Sequence, residues 1–541
     1  MALSAFTHLW NPIGFPSIHA DEGTYMLHAL TFLKDKTLLP QGSPFYDHPY
    51  LGRIFLASIF GIIGYPDTLN PRDDGNTHSV EMLYLVPRVL MGLLAVADTF
   101  LIYKIAEHRY SKNIAFIAAI LFAVMPITWI LRRIFLDNLL LPFMLSSILF
   151  AIYRKDGSRE NLTSFGDSTN SKINYRNNRK ERDKTQFALV MFSGILLGTA
   201  IFTKIPVFTF IPLIGFLVFT NNNRDWKLLG LWLIPVVLIP AIWPASAYSV
   251  GQLENWFDAV KHQATERQDK PLVNSIKTFF EIDPVLLIIG IGGIVYTALK
   301  KDLFILLSVI PYLVFLQLVG FVSVYHLVVL VPAICIASAV MINQLSHKIS
   351  SDKVRRVLPL AIISAVGIFG LMIVFIIINN DFNSSYFKTY AAVIQNLPYS
   401  YNEENQNDGS AGDSPSILIG RYWTKSFIWV THYVFDKEYV FVRDSLRCCS
   451  DPSPDVLLDQ VNNNLITPAP KVILIADNKM KREIKDSTSE DKSDILRKLY
   501  NLTHPAMLVD EKRFPHNREI YPYSALYDNR GLGDIEIRVN N

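Results

Sequence analysis

Cysteine is scarce in this chain of 541 residues, which has only three. That number excludes a disulfide-stabilised scaffold, and the positions Cys335, Cys448 and Cys449 match no structural zinc spacing. The N-terminus lacks a basic stretch followed by an apolar run, so no cleavable signal peptide is predicted. Charged residues make up only 18% of the chain and the formal net charge is +3, which argues against a nucleic-acid-binding protein.

Apolar residues are abundant instead. Half of the chain is hydrophobic, 12% is aromatic and the mean hydropathy is +0.25, a composition typical of a polytopic membrane protein. Since about 20 apolar residues cross a bilayer, we predict about ten or eleven transmembrane helices. The candidate spans are 85–105, 113–131, 137–153, 187–203, 205–220, 228–248, 283–299, 303–321, 325–343 and 357–378.

Two apolar stretches do not fit one simple crossing each. The stretch 187–220 is too long for a single span, and Lys204 with Pro206 is expected to break it into a hairpin. The stretch 51–66 is short and carries Arg53, so we interpret it as a helix lying along the membrane surface. A short span is the alternative.

Basic residues indicate the orientation, because short cytoplasmic loops collect lysine and arginine. The loop after residue 153 is rich in both. With each predicted span crossing the membrane once, the other basic clusters fall on the same side as this loop, and only Arg132 and Arg133 fall on the opposite side. This assignment places residues 1–84, the 249–282 loop and everything after 378 on the outer face. The polar residues that meet on that face are Asp21, Glu22, Asp47, His48, Asp137, Lys204, His262 and Tyr325.

From about residue 380 the composition becomes that of a soluble protein. Residues Ser416–Gly420, Tyr439–Val442 and Lys471–Ala476 are predicted strands, and Thr424–Tyr433 is a predicted helix between two of them. The polar stretch Tyr401–Pro415 is interpreted as a linker. We therefore expect three parts: a first outer loop with juxtamembrane helices at 1–84, a transmembrane domain at 85–378, and a small extracytoplasmic α/β domain at 379–541.

The adjacent carboxylates Asp21 and Glu22 lie in an aromatic, partly apolar stretch ahead of the spans. Acidic groups held against a bilayer are costly and are usually retained for chemistry or transport. The alternative is that Asp21 only caps a helix that starts at Glu22.

A series of short motifs follows this pair in a recognisable order. They are Asp47-His48-Pro49-Tyr50-Leu51-Gly52, Arg133-Ile134-Phe135-Leu136-Asp137, Gly198-Thr199-Ala200-Ile201-Phe202-Thr203-Lys204, and Tyr325 through Pro332. Their order over most of residues 10–345 resembles the C-type membrane glycosyltransferases, in the group of the protein O-mannosyltransferases and the lipid A aminoarabinose transferase. The resemblance implies an inverting enzyme that transfers a sugar from a polyprenyl-phosphate donor to a protein, lipid or glycan acceptor at the outer face.

The resemblance also implies roles for individual residues. Asp21, Glu22 and Asp137 correspond to catalytic carboxylates. His48, Lys204, Arg88 and Tyr325 correspond to contacts of the donor phosphate, and Asp47 with His262 to ligands of a divalent metal ion. The alternatives are an N-cap at Asp137, a lysine at 204 that reaches the membrane interface, an arginine at 88 that meets lipid headgroups, and solvated side chains at 47 and 262.

The chain departs from this group at its beginning, because Met1–Ala20 cannot supply the transmembrane helix that normally precedes the acidic pair. Two explanations stay open. Either the first methionine is placed downstream of the true one, or the chain is a truncated, catalytically inactive scaffold. A third reading is a transporter or lipid flippase, which would place charges at span midpoints. Here the charges gather at the outer ends, with Asp98 as the main exception, and this favours the enzyme.

Overall fold

The fold is seen in a computed structural model of the chain. It describes residues 1–38, 46–153, 170–267, 270–347, 352–397, 416–420, 424–437, 440–444, 471–476, 478–485, 497–498, 500–509 and 535–539. The first part of the basic loop after residue 153, the linker Tyr401–Pro415, and Cys448 with Cys449 lie outside the described residues.

The described part of the chain is mainly helical. Its α-helices are Ala2–Leu9, Ala20–Asp35, Leu51–Ile63, Thr77–Arg109, Lys112–Val124, Leu136–Ile152, Asn170–Thr203, Ile211–Asn221, Trp226–Ser249, Leu253–Lys261, Leu272–Ile282, Pro284–Leu299, Leu303–Leu318, Val331–His347, Asp352–Ile378, Ser384–Asn396, Thr424–Tyr433 and Asn478–Lys485. Short 3₁₀ segments at Pro126–Arg132, Ile205–Phe210 and Val324–Leu330 precede three of these helices closely.

The polytopic membrane architecture is confirmed, since all ten predicted spans fall on helices. Among the described residues, five helices are long and apolar enough to cross a bilayer, and two bent pairs raise this number to seven. Four further apolar helices, at Leu51–Ile63, Leu136–Ile152, Ile205–Asn221 and Leu303–Leu318, are shorter than these spans, so the described residues show at most seven of the ten or eleven predicted spans at full length. The expected break in 187–220 is present, because the helix ends at Thr203 and the chain continues as a 3₁₀ turn from Ile205.

One predicted span needs correction. The stretch 113–131 is not one straight span but bends by 68° between Val124 and Pro126, where proline cannot continue the hydrogen-bonding pattern of the preceding helix. The predicted 249–282 loop contains the helices Leu253–Lys261 and Leu272–Ile282. The second of these turns by 119° into the following span.

The core of the membrane part lies around the segment Val324–Ser346, the most buried of the five long spans. Its helix packs directly on Pro284–Leu299, where Gly293 allows the two backbones to approach. A Cβ atom at Gly293 would lie 2.6 Å from the carbonyl carbon of Ala337, so a larger residue would push the helices apart. By contrast, Trp226–Ser249 is largely exposed on the lipid-facing side.

The C-terminal part forms a five-stranded sheet with strands β1 (Ser416–Gly420), β2 (Val440–Asp444), β3 (Lys471–Ala476), β4 (His504–Val509) and β5 (Ile535–Val539). The order is β2-β1-β3-β5-β4, with β1 parallel to β2 and β3 and with β5 antiparallel to β3 and β4. The helix Thr424–Tyr433 and the three predicted strands are confirmed, with β2 continuing to Asp444, two residues beyond its predicted end at Val442. Strands β4 and β5 were not predicted.

This sheet domain is attached to the loop that carries the acidic pair. Helix Thr424–Tyr433 packs on helix Ala20–Asp35, and a Cβ atom on Gly23 would lie 2.3 Å from the Ser426 hydroxyl. Thr31 donates a hydrogen bond of 3.1 Å to the Tyr433 hydroxyl, which in turn donates to Asp35 at 2.8 Å. The segment that carries the acidic pair is therefore held between the membrane helices and the C-terminal sheet domain.

Candidate active site

Asp21 lies in the first turn of helix Ala20–Asp35, with 55% of its side chain exposed. The helix is capped by His19, whose Nδ1 accepts a hydrogen bond of 3.1 Å from the Asp21 amide. The alternative in which Asp21 caps a helix starting at Glu22 is therefore wrong. An acidic side chain near a helix N-terminus is stabilised by the helix dipole, yet this one stays accessible to solvent.

Glu22 is one residue further along the helix and turns inward, so that none of its side chain is exposed. Its Oε2 accepts a hydrogen bond of 2.8 Å from Arg88 Nη2, and the Arg88 side chain is equally buried. Arg88 also donates to the carbonyl oxygens of Pro12 and Pro16, at 3.0 and 2.8 Å. These contacts fasten the first outer loop to helix Thr77–Arg109.

Asp137 and Lys204 form a second buried ion pair. Lys204 Nζ donates to Asp137 Oδ2 at 2.7 Å, with 8% and 4% of the two side chains exposed. Asp137 lies inside helix Leu136–Ile152, which begins after Phe135, so it does not cap that helix. Lys204 follows the end of helix Asn170–Thr203 and points to this carboxylate. The pair joins the start of helix Leu136–Ile152 to the end of helix Asn170–Thr203, across 67 residues of sequence.

Tyr25 lies where three separate acidic segments meet. Its pKa is raised well above the ordinary value, mainly by burial and then by Asp21, Asp137 and Asp47. Charges act on a phenol in this way only over short distances, so these carboxylates share one neighbourhood. The sequence placed Asp21, Asp47 and Asp137 on one face of the membrane, but it did not identify Tyr25 as a residue of the site.

His48 is half-buried beside Tyr25, with the ring centroids 6.3 Å apart. Burial lowers its pKa well below 6.5, and Lys204, Arg53, His326 and Arg267 lower it further. Three strong bases therefore surround this imidazole, which stays neutral at physiological pH. Lys204, Arg53 and Arg267 make the surroundings of His48 basic, although Lys204 is paired with Asp137, and His48 itself contributes a hydrogen-bonding ring and no charge.

The lowered pKa of His48 predicts a loss of stability in acid. The unfolded chain takes up a proton as the pH falls below 6.5, whereas the folded protein does not. The contribution of His48 to the free energy of unfolding is therefore complete above pH 6.5. Below that pH it declines by at most about 1.4 kcal/mol per pH unit. His48→Gln is expected to flatten the pH dependence of unfolding of the detergent-solubilised protein between pH 6.5 and 5. The free energy of unfolding of each protein at pH 8 serves as its reference. Parallel pH dependences of the wild type and the variant would contradict the prediction.

The predicted metal ligands Asp47 and His262 come from segments that touch but have different partners. Asp47 Oδ1 accepts a hydrogen bond of 3.1 Å from Gln263, whereas His262 Nδ1 lies 3.0 Å from Glu266 and is more than half exposed. In the part of the chain that the structure describes, no group of three or more ligand-type side chains could hold a metal. Asp47 and His262 as placed therefore do not fit a metal centre.

Tyr325 completes the site from the other side. Its hydroxyl accepts a hydrogen bond of 2.7 Å from Arg133, and its ring lies 4.8 Å from that of Phe135 and 5.4 Å from that of His19. Through His19 it adjoins the turn that carries Asp21. Of the phosphate contacts inferred from the sequence, the structure brings His48 and Lys204 together, and engages Arg88 with Glu22.

Several residues of the site were missed or undervalued in the sequence. Arg53 is only a weak candidate in the sequence, because an arginine at the end of an apolar stretch often meets lipid headgroups. Arg267 gave no signal, because a loop arginine is indistinguishable from a solvated one until the fold brings it near His48. Arg133 belongs to one of the motifs and is an exception to the distribution of basic residues, but the sequence assigned it no role.

Comparison with known proteins agrees with this fold. Residues 39–250 match the model of the dolichyl-phosphate-mannose-protein mannosyltransferase family. ArnT from Cupriavidus metallidurans in the apo state superposes with a TM-score of 0.55 and 10% identity, over 99% of this chain and 96% of ArnT. The Archaeoglobus fulgidus oligosaccharyltransferase in its apo form superposes with a TM-score of 0.51 and 13% identity, over 92% of this chain and 71% of that enzyme. Among curated protein sequences, none matches significantly. The protein is thus a multi-pass membrane protein with the fold of the C-type glycosyltransferases, and residues 39–250 resemble the protein mannosyltransferases.

Proposed function

We propose that the protein is an integral membrane glycosyltransferase that uses a polyprenyl-phosphate-linked sugar, mannose or a pentose, and acts on an acceptor hydroxyl at the outer face. The observation that carries this proposal is the accessible carboxylate of Asp21, which shares a neighbourhood with two further acidic residues beside the basic surroundings of His48. The family match over residues 39–250 supports mannose. ArnT from C. metallidurans has been seen bound to undecaprenyl phosphate, and the A. fulgidus enzyme tethered with an acceptor peptide.

In the proposed reaction Asp21 is the general base. Its carboxylate takes the proton of the acceptor hydroxyl while the acceptor oxygen attacks C1 of the sugar and the bond from C1 to the phosphate oxygen breaks. A single displacement inverts the configuration at C1. The phosphate leaves as an anion and needs no proton, so one base is sufficient.

The leaving phosphate is stabilised by the pocket around His48. Lys204, Arg53 and Arg267 supply positive charge, and fixed charges in a partly buried site stabilise a developing anion more than water does. Asp137 holds the Lys204 ammonium in place. Glu22 and Arg88 are mutually paired and buried, so we assign both to positioning the Asp21 turn instead of to contact with substrate.

We place residues 1–84 and the C-terminal sheet domain on the same, outer side of the membrane. The packing of helix Thr424–Tyr433 on helix Ala20–Asp35 supports this placement, since both must then lie on the side of the catalytic turn. The predicted boundary at residue 84 falls inside helix Thr77–Arg109, so we assign the first turns of this helix to the outer part, and the boundary at 378 coincides with the end of helix Asp352–Ile378.

The proposed function is tested with membranes that contain the protein and radiolabelled polyprenyl-phosphate mannose, polyprenyl-phosphate arabinose or polyprenyl-phosphate aminoarabinose. Label is expected to move from the lipid fraction into protein, lipid or glycan with at least one donor, and to stay in the lipid fraction with membranes that lack the protein. An absence of transfer with every donor would contradict the proposal.

The phosphate pocket gives a separate prediction for Arg267. Its guanidinium donates to Gln263 and lies over the Phe321 ring, so its replacement breaks no ion pair that the structure shows. Arg267→Gln is expected to raise the KM for the lipid-linked donor roughly tenfold, because one charge near the phosphate is lost. Lys261→Gln, an exposed cation paired with Glu266, is the matched control and should keep the wild-type KM. Equal changes in the donor KM for Arg267→Gln and Lys261→Gln would contradict the assignment of Arg267 to the phosphate site.

A further inference from the structure

Residues 11–18 connect the first short helix to the helix that carries Asp21, and they form neither a helix nor a strand. The last five of these residues are buried. The backbone groups of a buried irregular segment have no regular ladder of hydrogen bonds, so they need partners from elsewhere in the chain. Two buried side chains, Arg88 and Asn383, supply such partners.

Asn383 bonds to this loop through both ends of its side-chain amide. Its Nδ2 donates to the carbonyl oxygens of Ile13 and Pro16, at 2.6 and 2.8 Å, and its Oδ1 accepts from the Ile18 amide at 2.9 Å. The residue is fully buried. A carboxamide offers two donors and an acceptor in one rigid group, which is what two carbonyls and one amide require. One side chain therefore fixes the loop at three positions.

The position of Asn383 in the chain has a more ordinary explanation, because asparagine is a favoured N-cap residue. Asn383 does occupy the N-cap position of the described helix Ser384–Asn396, yet its side chain does not cap that helix. Asp381 caps it instead, since its Oδ1 accepts from the backbone amides of Asn383 and Ser384, both at 3.1 Å. The Asn383 amide is directed to the loop.

The Pro16 carbonyl receives donors from two distant segments. Asn383 and Arg88 both donate to it at 2.8 Å, and Arg88 also binds Glu22 in the helix that follows the loop. The end of the loop and the first turn of that helix are thus held by one connected set of buried hydrogen bonds.

The Ile18 amide is the second point that leads to the catalytic turn. Ile18 directly precedes His19, whose ring caps helix Ala20–Asp35 by accepting from the Asp21 amide at 3.1 Å. Because Asn383 fixes the Ile18 amide, it also fixes the place at which this helix starts. The direction of the Asp21 side chain depends on that start.

We propose that Asn383 is a positioning residue for the general base, since it holds the loop from which helix Ala20–Asp35 starts and so directs the Asp21 carboxylate to the acceptor hydroxyl. The inference rests on the proposed function and deepens it. Asn383 follows the helix Asp352–Ile378, so the segment that leads from the last span into the C-terminal sheet domain contributes to the geometry of the active site. Asn383 acts through the loop and makes no contact with substrate.

The variant Asn383→Ser tests this role. Serine is favoured at an N-cap, so the following helix keeps its start, but one hydroxyl cannot donate to two carbonyls. The kcat is expected to fall about 10- to 100-fold, since a displacement of about 1 Å at a reacting group costs that much. The KM for the lipid-linked donor should stay unchanged, because Asn383 holds the loop before Asp21, whereas the phosphate is assigned to Lys204 and Arg267.

The matched control is Asn380→Ser. In the described part of the chain the Asn380 side chain donates to the carbonyls of Ile376 and Ile377, within the helix that precedes it, at 2.7 and 3.4 Å. This variant should keep the wild-type kcat and KM. All proteins are assayed at a temperature at which they stay folded. If Asn383→Ser does not fold, Asn383→Gln replaces it, because glutamine keeps the amide but moves it by one methylene group.

A double variant, Asp21→Asn with Asn383→Ser, separates positioning from general damage to the fold. If Asn383 acts through the base, its substitution causes no further loss once the carboxylate is gone. The kcat of the double variant should then equal that of Asp21→Asn alone. General damage would instead lower the residual rate of Asp21→Asn by the same factor as the wild-type rate.

The outcomes separate this inference from the proposed function. A kcat of Asn383→Ser within about threefold of the wild type, a loss equal to that of Asn380→Ser, or losses that multiply in the double variant would overturn the positioning role alone. A wild-type protein that is inactive with every lipid-linked donor would overturn the proposed function and this inference together.

Discussion

Replacing Asp21 with Asn is expected to lower the kcat of sugar transfer roughly 100- to 10,000-fold, the usual contribution of a general base. The amide has nearly the same shape as the carboxylate but cannot take the acceptor proton. Stability should change by less than about 0.5 kcal/mol, because the side chain is exposed and its 3.6 Å contact with His19 is weak. The measurements are initial rates of label transfer at saturating donor, together with thermal unfolding of the purified variant.

Asp67→Asn is the control for this experiment. Asp67 is an exposed carboxylate in the same outer loop, in the 3₁₀ turn Asp67–Leu69, and it should have wild-type kcat and stability. An Asp21→Asn variant that kept more than about a tenth of the activity would remove the base from the mechanism, since that loss is far below what a general base contributes.

Replacing Arg88 with Met is expected to have the largest effect on stability. It would leave the Glu22 carboxylate buried without its cation, and it would also remove donors from the Pro12 and Pro16 carbonyls. Breaking one partner of a buried ion pair costs about 3–5 kcal/mol. The free energy of unfolding, measured by titrating mixed micelles with a denaturing detergent, should fall by that amount. Adding Glu22→Gln should recover part of the loss, because a neutral amide is cheaper to bury.

Lys104→Met on the same helix is the matched control for Arg88. Lys104 pairs with Glu107 at 2.8 Å, but 36% of its side chain is exposed, so its loss should cost far less stability than the loss of Arg88. Similar costs for Lys104→Met and Arg88→Met would show that the buried pair does not hold the outer loop.

The membrane helices could be located from the sequence because the free energy of placing a segment in a bilayer is largely a sum over its own residues. The break at Lys204 and Pro206 could also be predicted from local sequence, because a charge and a proline interrupt an apolar stretch that is too long for one crossing. The bend before Pro126 could not be predicted, because proline can also begin or kink a span without ending it. Strand β4 was missed because most of its residues are exposed, so no alternation of apolar and polar residues marks it.

The sequence by itself determined that the chain spans a membrane many times and that its acidic and basic motif residues collect at one face, since apolar runs and loop charges act locally. Only the tertiary structure decided which of two adjacent carboxylates is accessible. Glu22 is buried because helix Ala20–Asp35 turns it toward Arg88, 66 residues away, while the same rotation leaves Asp21 in solvent. A helix advances about 100° per residue, so the face that packs against distant partners separates two neighbouring acids into a positioning residue and an accessible one.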